Sequence, residues 1–483
     1  MMEQFTKQFI NGQWKKGSSD KSIENKNPYN DELLFTIPSA NADDLDDAYQ
    51  AAKNVQEDWE NTALAEKQAM FDRLLQNMQK EKEEIIDWLI KESGSTRVKA
   101  NVEFAAAVAI VRESASFLTR TAGAILPSRT PGKENRVYRT AKGVIGIIGP
   151  WNFPFHLTLR SLAPALATGN TAVIKPASDT PVTAGLLIGK LFQDAGFPDG
   201  TVNVVVGRGS EVGDEFVKHP IPKLISFTGS TEVGRQIGEL AGKNLKEVAL
   251  ELGGNNVMLV LKDANIEQAA KAAAFGKFLH QGQICMALNR IIVDAAVHDQ
   301  FVDAFVANVK KLKAGDPSEQ ETFVGPLINR EQAERIQKDL EESVRQGAKI
   351  VLDGKAEGTL MQPVVLTQVT KEMPIAENEI FGPVAPILKA ANEEEAIDMA
   401  NSSIYGLSGS VFTEDRYRGV QVAKKIETGM IHINDQSVND EAHVPFGGEK
   451  ASGLGRFNGE WAIEKFTTIK WISVQDGYRD YPI

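Results

Sequence analysis

From residue 143 onward, short apolar runs alternate with amphipathic stretches, and that alternation leaves few folds open. Strands are predicted at 144–148, 171–174, 202–206, 224–227 and 248–250, with helices at 183–195 and 232–241 among them. Strands separated by helices pair in parallel and bury both faces beneath those helices. Gly253-Gly254 marks a hinge, after which the pattern begins again. Strands are predicted there at 257–261, 290–293, 349–352 and 410–412, and helices at 266–280, 300–312 and 330–347. Upstream, residues 43–118 read as helical, and 64–90 carries apolar residues at three- and four-residue steps. Residues 119–140, rich in Gly, Pro, Arg and Ser, form a connection or an extended arm. Residues 466–474 alternate β-formers and are expected to add an edge strand to a partner subunit.

Two α/β stretches in a chain of 483 residues exceed one ordinary core, so two or three domains are expected. With 42% hydrophobic and 24% charged residues the chain is a folded one. The net charge of −12 repels phosphate backbones and argues against a nucleic-acid partner. The apolar run 143–149 is too short for a bilayer, and residues 1–17 lack the apolar stretch of a signal peptide. One cysteine, Cys285, makes the fold independent of an oxidising compartment. A cytoplasmic location with no membrane association is expected.

The residues able to carry chemistry each admit a plain alternative. Cys285, in Gln281-Gly282-Gln283-Ile284-Cys285 at the end of a predicted helix, is a nucleophile or a small buried hydrophobe. A captured acyl group needs water and a base for release. Glu251, closing an apolar strand, is that base or a solvent-facing strand end. Asn152, between Trp151 and Phe153-Pro154, donates to an oxyanion or satisfies its own turn. The segment from Phe227 to Gly234 follows a strand and opens a helix. It binds a pyrophosphate or is an ordinary turn with a Ser/Thr cap. Six scattered His and one Cys give no ligand pair at helical spacing, so no metal site is expected.

Together these segments resemble the aldehyde dehydrogenase superfamily. The resemblance runs from Phe9-Ile10-Asn11-Gly12 almost to the end of the chain. Its pieces stand in family order: Pro150-Trp151-Asn152-Phe153-Pro154, Lys175-Pro176-Ala177-Ser178, Phe227-Thr228-Gly229-Ser230 and Glu251-Leu252-Gly253-Gly254. Gly282-Gln283-Ile284-Cys285, Glu379-Ile380-Phe381-Gly382-Pro383 and Pro445-Phe446-Gly447-Gly448 follow. The resemblance implies Cys285 as nucleophile, Glu251 as base for thioester hydrolysis, and Asn152 with the Cys285 amide as the oxyanion hole. It implies NAD or NADP as cofactor. Lys175 would take the adenosine ribose, Ser230 the pyrophosphate, and Glu379 and Phe381 the nicotinamide ribose and ring. Trp151, Ser178, Gly229, Gly234 and Leu252 complete the cofactor set.

The implied fold is α/β: a Rossmann-like cofactor domain, an α/β catalytic domain and a small β oligomerisation arm. The cofactor domain would span 1–118 and 141–252 and regain 441–465. The catalytic domain would span 253–440, and 119–140 with 466–483 would form the arm of a homodimer or homotetramer. Phe155-His156-Leu157, Ile284-Cys285-Met286-Ala287 and His443-Val444-Pro445-Phe446 resemble the bacterial aromatic-aldehyde branch, acting on vanillin, benzaldehyde or salicylaldehyde. The implied substrate pocket is Phe153, Leu157, Arg160, Ile284, Met286 and Phe446, with Arg160 set to meet a phenol oxygen or a carboxylate.

Rival expectations are a CoA-acylating enzyme, against which Glu251 argues, an aliphatic or semialdehyde dehydrogenase, and a non-catalytic binding protein. In NAD-preferring relatives the position held here by Ser178 is usually glutamate, which repels a 2′-phosphate. Ser178→Glu is therefore expected to raise the KM for NADP much more than that for NAD. Steady-state kinetics with both cofactors check this, and equal effects would remove Ser178 from cofactor choice.

Overall fold

The computed structural model describes residues 3–482. Two parallel sheets organise them. In the first, the strands run in the order Gln13–Lys15, Gln8–Ile10, Val202–Val204, Thr171–Lys175, Val144–Ile148, Leu224–Thr228, Glu247–Glu251, Gly453–Leu454. The central five are parallel, and antiparallel strands close both edges. Chain order runs outward in both directions from the boundary between Val144–Ile148 and Leu224–Thr228. That boundary is a topological switch point, where loops at the carboxyl ends part and leave a crevice.

The second sheet runs Lys349–Leu352, Val364–Thr367, Val384–Ala390, Leu288–Asp294, Asn256–Val260, Gly409–Phe412, His432–Ile433, parallel except at its first strand. The strands Val364–Thr367 and Val384–Ala390 escape the sequence pattern because prolines at 363, 383 and 386 punctuate them. The helix Pro154–Ala167 escapes it for the same reason, with Pro154 in its first turn and Pro164 inside. The helix expected over 183–195 begins as a π-turn, Val182–Leu186, before Leu187–Asp194 turns regular. The helix expected over 266–280 stops at Phe278.

Residues 42–116 form four helices, the first opened by a capping box on Asn41 and Asp44. The β-formers at the C-terminal end make the strand Thr467–Gln475. It pairs antiparallel with Lys133–Ala141 of the same chain, residue for residue, and Ala124–Leu126 completes a three-stranded sheet. Thr467–Gln475 lies at the edge of this sheet, and Ile125, Ile469 and Trp471 are exposed on it.

The loops around the crevice approach closely at glycines. A Cβ on Gly429 would lie 1.8 Å from the Gly447 carbonyl oxygen, backbone against backbone. No side-chain rotation relieves such a clash. Gly429→Ala is expected to destabilise the fold by about 2–4 kcal/mol, read as a lowered midpoint in thermal unfolding. An unchanged midpoint would show that the two loops yield freely.

Candidate active site

A cleft of about 1410 Å³ opens where the carboxyl ends of the first sheet face the second. Trp151 and Asn152 enter it after the strand Val144–Ile148, Lys175 closes Thr171–Lys175, and Gly229 and Ser230 follow Leu224–Thr228. Glu251 and Leu252 come from the end of Glu247–Glu251. Cys285, Glu379 and Phe381 line the opposite wall. Strand ends and tight turns put these side chains at one crevice although they lie hundreds of residues apart.

Cys285 sits on a loop in an uncommon conformation. His280, Gln281 and Gly282 all have positive φ (51°, 58° and 76°), which ends the preceding helix and turns the chain back toward the cleft. Anchors on every side hold it there. Gln281 Nε2 donates to the carbonyls of Pro326 at 2.8 Å and Gly94 at 3.3 Å, and Ile328 N donates to Gln283 Oε1 at 3.0 Å. Asn256 Nδ2 donates to the carbonyls of Cys285 at 2.7 Å and Ala287 at 2.8 Å. Cys285 keeps a small surface toward the cleft, yet burial pushes its thiol up to about 12. Arg160 pulls it back, while Glu251, Glu379 and Asp440 add to the rise. At neutral pH the sulfur holds its proton, and reaction requires a base.

Glu251 is a buried carboxyl group whose two oxygens have no hydrogen-bond partner among the described residues. Burial pushes it up to about 7, against the pull of Arg160 and Arg456. An unpaired carboxyl poised at neutrality in a cleft is the usual state of a proton acceptor in chemistry. Asn152 is equally buried, and its Nδ2 donates to the Gln283 carbonyl at 3.0 Å. One amide N–H is thereby spent on the nucleophile's loop and the other is left to donate elsewhere.

The aldehyde dehydrogenase family model matches residues 14–472. This chain belongs to the aldehyde dehydrogenase family. It is 55% identical over 472 residues to a vanillin dehydrogenase of Corynebacterium glutamicum, covering 97% of this chain and 98% of that one. It is 48% identical over 480 residues to benzaldehyde dehydrogenase YfmT of Bacillus subtilis, covering 99% of each. The crystal structure of an NAD-dependent benzaldehyde dehydrogenase from Corynebacterium glutamicum superposes with a TM-score of 0.91 at 51% identity, covering 98% of this chain and 97% of that one.

In this aldehyde dehydrogenase both walls of the cleft present groups suited to a ligand. Ser230 caps the helix Thr231–Lys243 by accepting from Val233 N, and so serves as a cap while also lining the cleft. Lys175 is buried, with its ammonium held down to about 8 by that burial. Gly254 N donates to Glu379 Oε1 at 2.9 Å, and Phe381 meets Trp151 edge-on at 5.4 Å between ring centres. Gln332 and Arg335, which have no sequence signal of their own, donate to the backbone carbonyls of 379–381 and fix that loop.

Two expected cofactor residues lie elsewhere. Gly234 does not line the cleft; a Cβ there would lie 2.3 Å from the Leu252 side chain, so the glycine serves packing. Ser178 lies in a turn just past Ala177, which does line it, and starts no helix. Phe153, Leu157, Ile284, Met286 and Phe446 are buried in the large apolar core on whose margin Cys285 packs, and they do not line the cleft. Arg160 is 1% exposed. Its guanidinium stacks 3.9 Å from the Phe446 ring and reaches Asp440 at 3.4 Å, while Nη2 has no hydrogen-bond partner among the described residues. Asp440, 280 residues further along the chain, has no sequence signal for this pairing.

The raised Glu251 value carries a sign for stability. The folded state holds its proton up to about 7, whereas the unfolded chain releases it near the ordinary 4.5. Stability therefore falls as pH rises from 4.5 to 7 and is level beyond. Glu251→Gln is expected to match the wild type near pH 4.5 and to exceed it at pH 8, by ~3 kcal/mol at most. Thermal melts at the two pH values check this, and a variant less stable at pH 8 would reverse the sign.

Proposed function

We propose that the protein oxidises aldehydes, chiefly aromatic ones of the vanillin and benzaldehyde type, to carboxylic acids with NAD or NADP as the oxidant. The carrying observation is the meeting of Cys285, Asn152 and the unpaired, buried Glu251 at one end of a cleft whose walls suit a dinucleotide. The fit rests on the amide donors opening the helix Thr231–Lys243, the buried Lys175 ammonium, and the Glu379 carboxyl beside Phe381.

In this mechanism Glu251 takes the Cys285 proton and the sulfur adds to the aldehyde carbon. The free N–H of Asn152 and the Cys285 amide receive the oxygen, whose charge grows as the tetrahedral centre forms. When bound, the dinucleotide supplies the acceptor for the hydride that leaves this carbon. Glu251 gives the Cys285 proton up to solvent and, ionised again, removes a proton from water, which attacks the thioester carbonyl. The carbon–sulfur bond breaks, the acid departs, and Cys285 regains its proton. Lys175, Ser230, Glu379 and Phe381 hold the cofactor, with Trp151, Gly229 and Leu252 shaping its walls.

The aromatic preference is supported by the names of the relatives and by the apolar core on whose margin Cys285 packs. Phe153, Leu157, Ile284, Met286 and Phe446 would form the ring pocket once a substrate parts them, with Arg160 behind Phe446. The first sheet and its helices (residues 1–118, 141–252 and 441–465) make up the cofactor domain, and 253–440 the catalytic domain. Residues 119–140 with 466–483 serve as the arm of a cytoplasmic homodimer or homotetramer, which the open edge of Thr467–Gln475 favours.

The deciding experiment is a panel of aldehydes followed by the absorbance of reduced cofactor, run with each dinucleotide. Benzaldehyde-type substrates are expected to exceed acetaldehyde and succinic semialdehyde in kcat/KM. At roughly 25 cal/mol per Å² of buried ring, the margin is on the order of a hundredfold. A preference for succinic semialdehyde would refute the aromatic assignment and give Arg160 a carboxylate to bind. Silence with every aldehyde would refute the enzyme.

A further inference from the structure

The helix Pro154–Ala167 begins two residues after Asn152, and its opening turn is unusual. The N-cap residue, Phe153, offers no side-chain acceptor, and Pro154 has no N–H to satisfy. The first donors left over, Phe155 N and His156 N, both donate to one atom, Glu103 Oε1, at 2.9 and 3.2 Å. Glu103 belongs to another helix, Arg97–Ser116. Its second oxygen is held by Lys99, one turn earlier, and Lys99 Nζ also donates to Ser95 Oγ at 2.9 Å. That ammonium stands 4.2 Å from the centre of the Phe153 ring. Lys99 and Glu103 are wholly buried.

A buried ion pair is a poor source of stability, since apolar residues of similar volume often serve as well or better. What this pair supplies is direction. We propose that Lys99 and Glu103 are positioning residues that aim the Asn152 carboxamide. The inference rests on the assignment of Asn152 as the oxyanion donor. The pair grips the chain on both sides of the Phe153–Pro154 junction: the ammonium holds the ring before it and the carboxylate holds the N–H groups after it. A carboxylate in that place also matches the positive end of the helix dipole. At the other end, the bond from Asn152 Nδ2 to the Gln283 carbonyl fixes one amide N–H. The direction of the second N–H then follows from the backbone of 152–155, which the pair controls. A donor of this kind works only within hydrogen-bond reach of where the oxyanion forms, so small displacements are expensive.

The test measures single-turnover formation of reduced cofactor from benzaldehyde. Glu103→Leu in a Lys99→Met background removes the cap together with both charges. Its rate is expected to fall about tenfold or more, with cofactor affinity unchanged. Glu103→Gln in the same background, whose amide oxygen still reaches both N–H groups, is expected to recover most of that loss. The same substitutions are then made on Asn152→Ala. If the pair acts through Asn152, Glu103→Leu costs almost nothing further there. A full additional loss in that background, or an undiminished rate without the cap, overturns the proposal. An Asn152→Ala enzyme with an intact rate would instead remove the oxyanion assignment, and the proposal with it, so the two failures are told apart. Should the capless variant not fold, Glu103→Asp makes the same comparison, because it keeps the charge and draws the carboxylate back by one methylene. Its loss is expected to be severalfold and to vanish on Asn152→Ala.

Discussion

The side chain of Asn256 joins the two halves of the chemistry. Asn256 begins the strand Asn256–Val260, inside the second sheet. Its amide nitrogen donates to the carbonyls of Cys285 and Ala287, while its oxygen accepts from Ser408 N at 2.9 Å. The loop it holds has left-handed residues at 280–282, a conformation that persists only where the surroundings over-determine it. The neighbouring glycine hinge follows from the same demand. A Cβ on Gly254 would lie 2.3 Å from the Cys285 carbonyl oxygen. With no side chain at Gly254 to meet that carbonyl, the strand Glu247–Glu251 hands over directly to Asn256–Val260, and base and nucleophile share one crevice.

Around that junction several ionisable groups are buried short of full pairing. Glu251 and Glu379 are both pushed up to about 7 by burial, and Lys277, a Coulombic neighbour of Glu379, is pushed down to about 7. Each is close to neutrality at working pH, which lowers the cost of keeping it out of water. Glu251 ends the strand Glu247–Glu251, Lys277 lies in the last turn of the helix Ile266–Phe278, and Glu379 lies in the loop that follows Pro374–Glu377. The sheets supply stability, and the strand end, helix end and loop around the cleft hold the groups that stability alone would exclude.

The parallel sheets were legible because their strands are apolar runs set between amphipathic helices, a signal that survives without tertiary context. Cys285, Glu251 and Asn152 were legible through short segments whose order along the chain is itself informative, and the structure brings all three to one cleft. Proline hid two central strands and a buried helix, since its local bias argues against the elements that tertiary packing imposes. Partners far apart in sequence, such as Arg160 with Asp440 or Glu103 with Phe155 N, leave no periodic trace. Gly234 shows a different limit: a glycine near a helix start serves packing against Leu252 as readily as it serves a ligand, and the sequence does not separate the two. The C-terminal strand was visible as a strand, but alternation alone does not say which neighbour it pairs with.

The protonated state of Cys285 bears on the durability of the enzyme. Peroxides and alkylating agents attack thiolates far faster than thiols. A sulfur held at about 12 is therefore shielded while the protein idles, and it loses that shield only when its proton passes to a nearby base. Since no second cysteine exists to trap a sulfenic acid as an internal disulfide, an oxidised Cys285 has no partner of its own for repair. The burial that delays the nucleophile is thus also its protection against oxidative ageing.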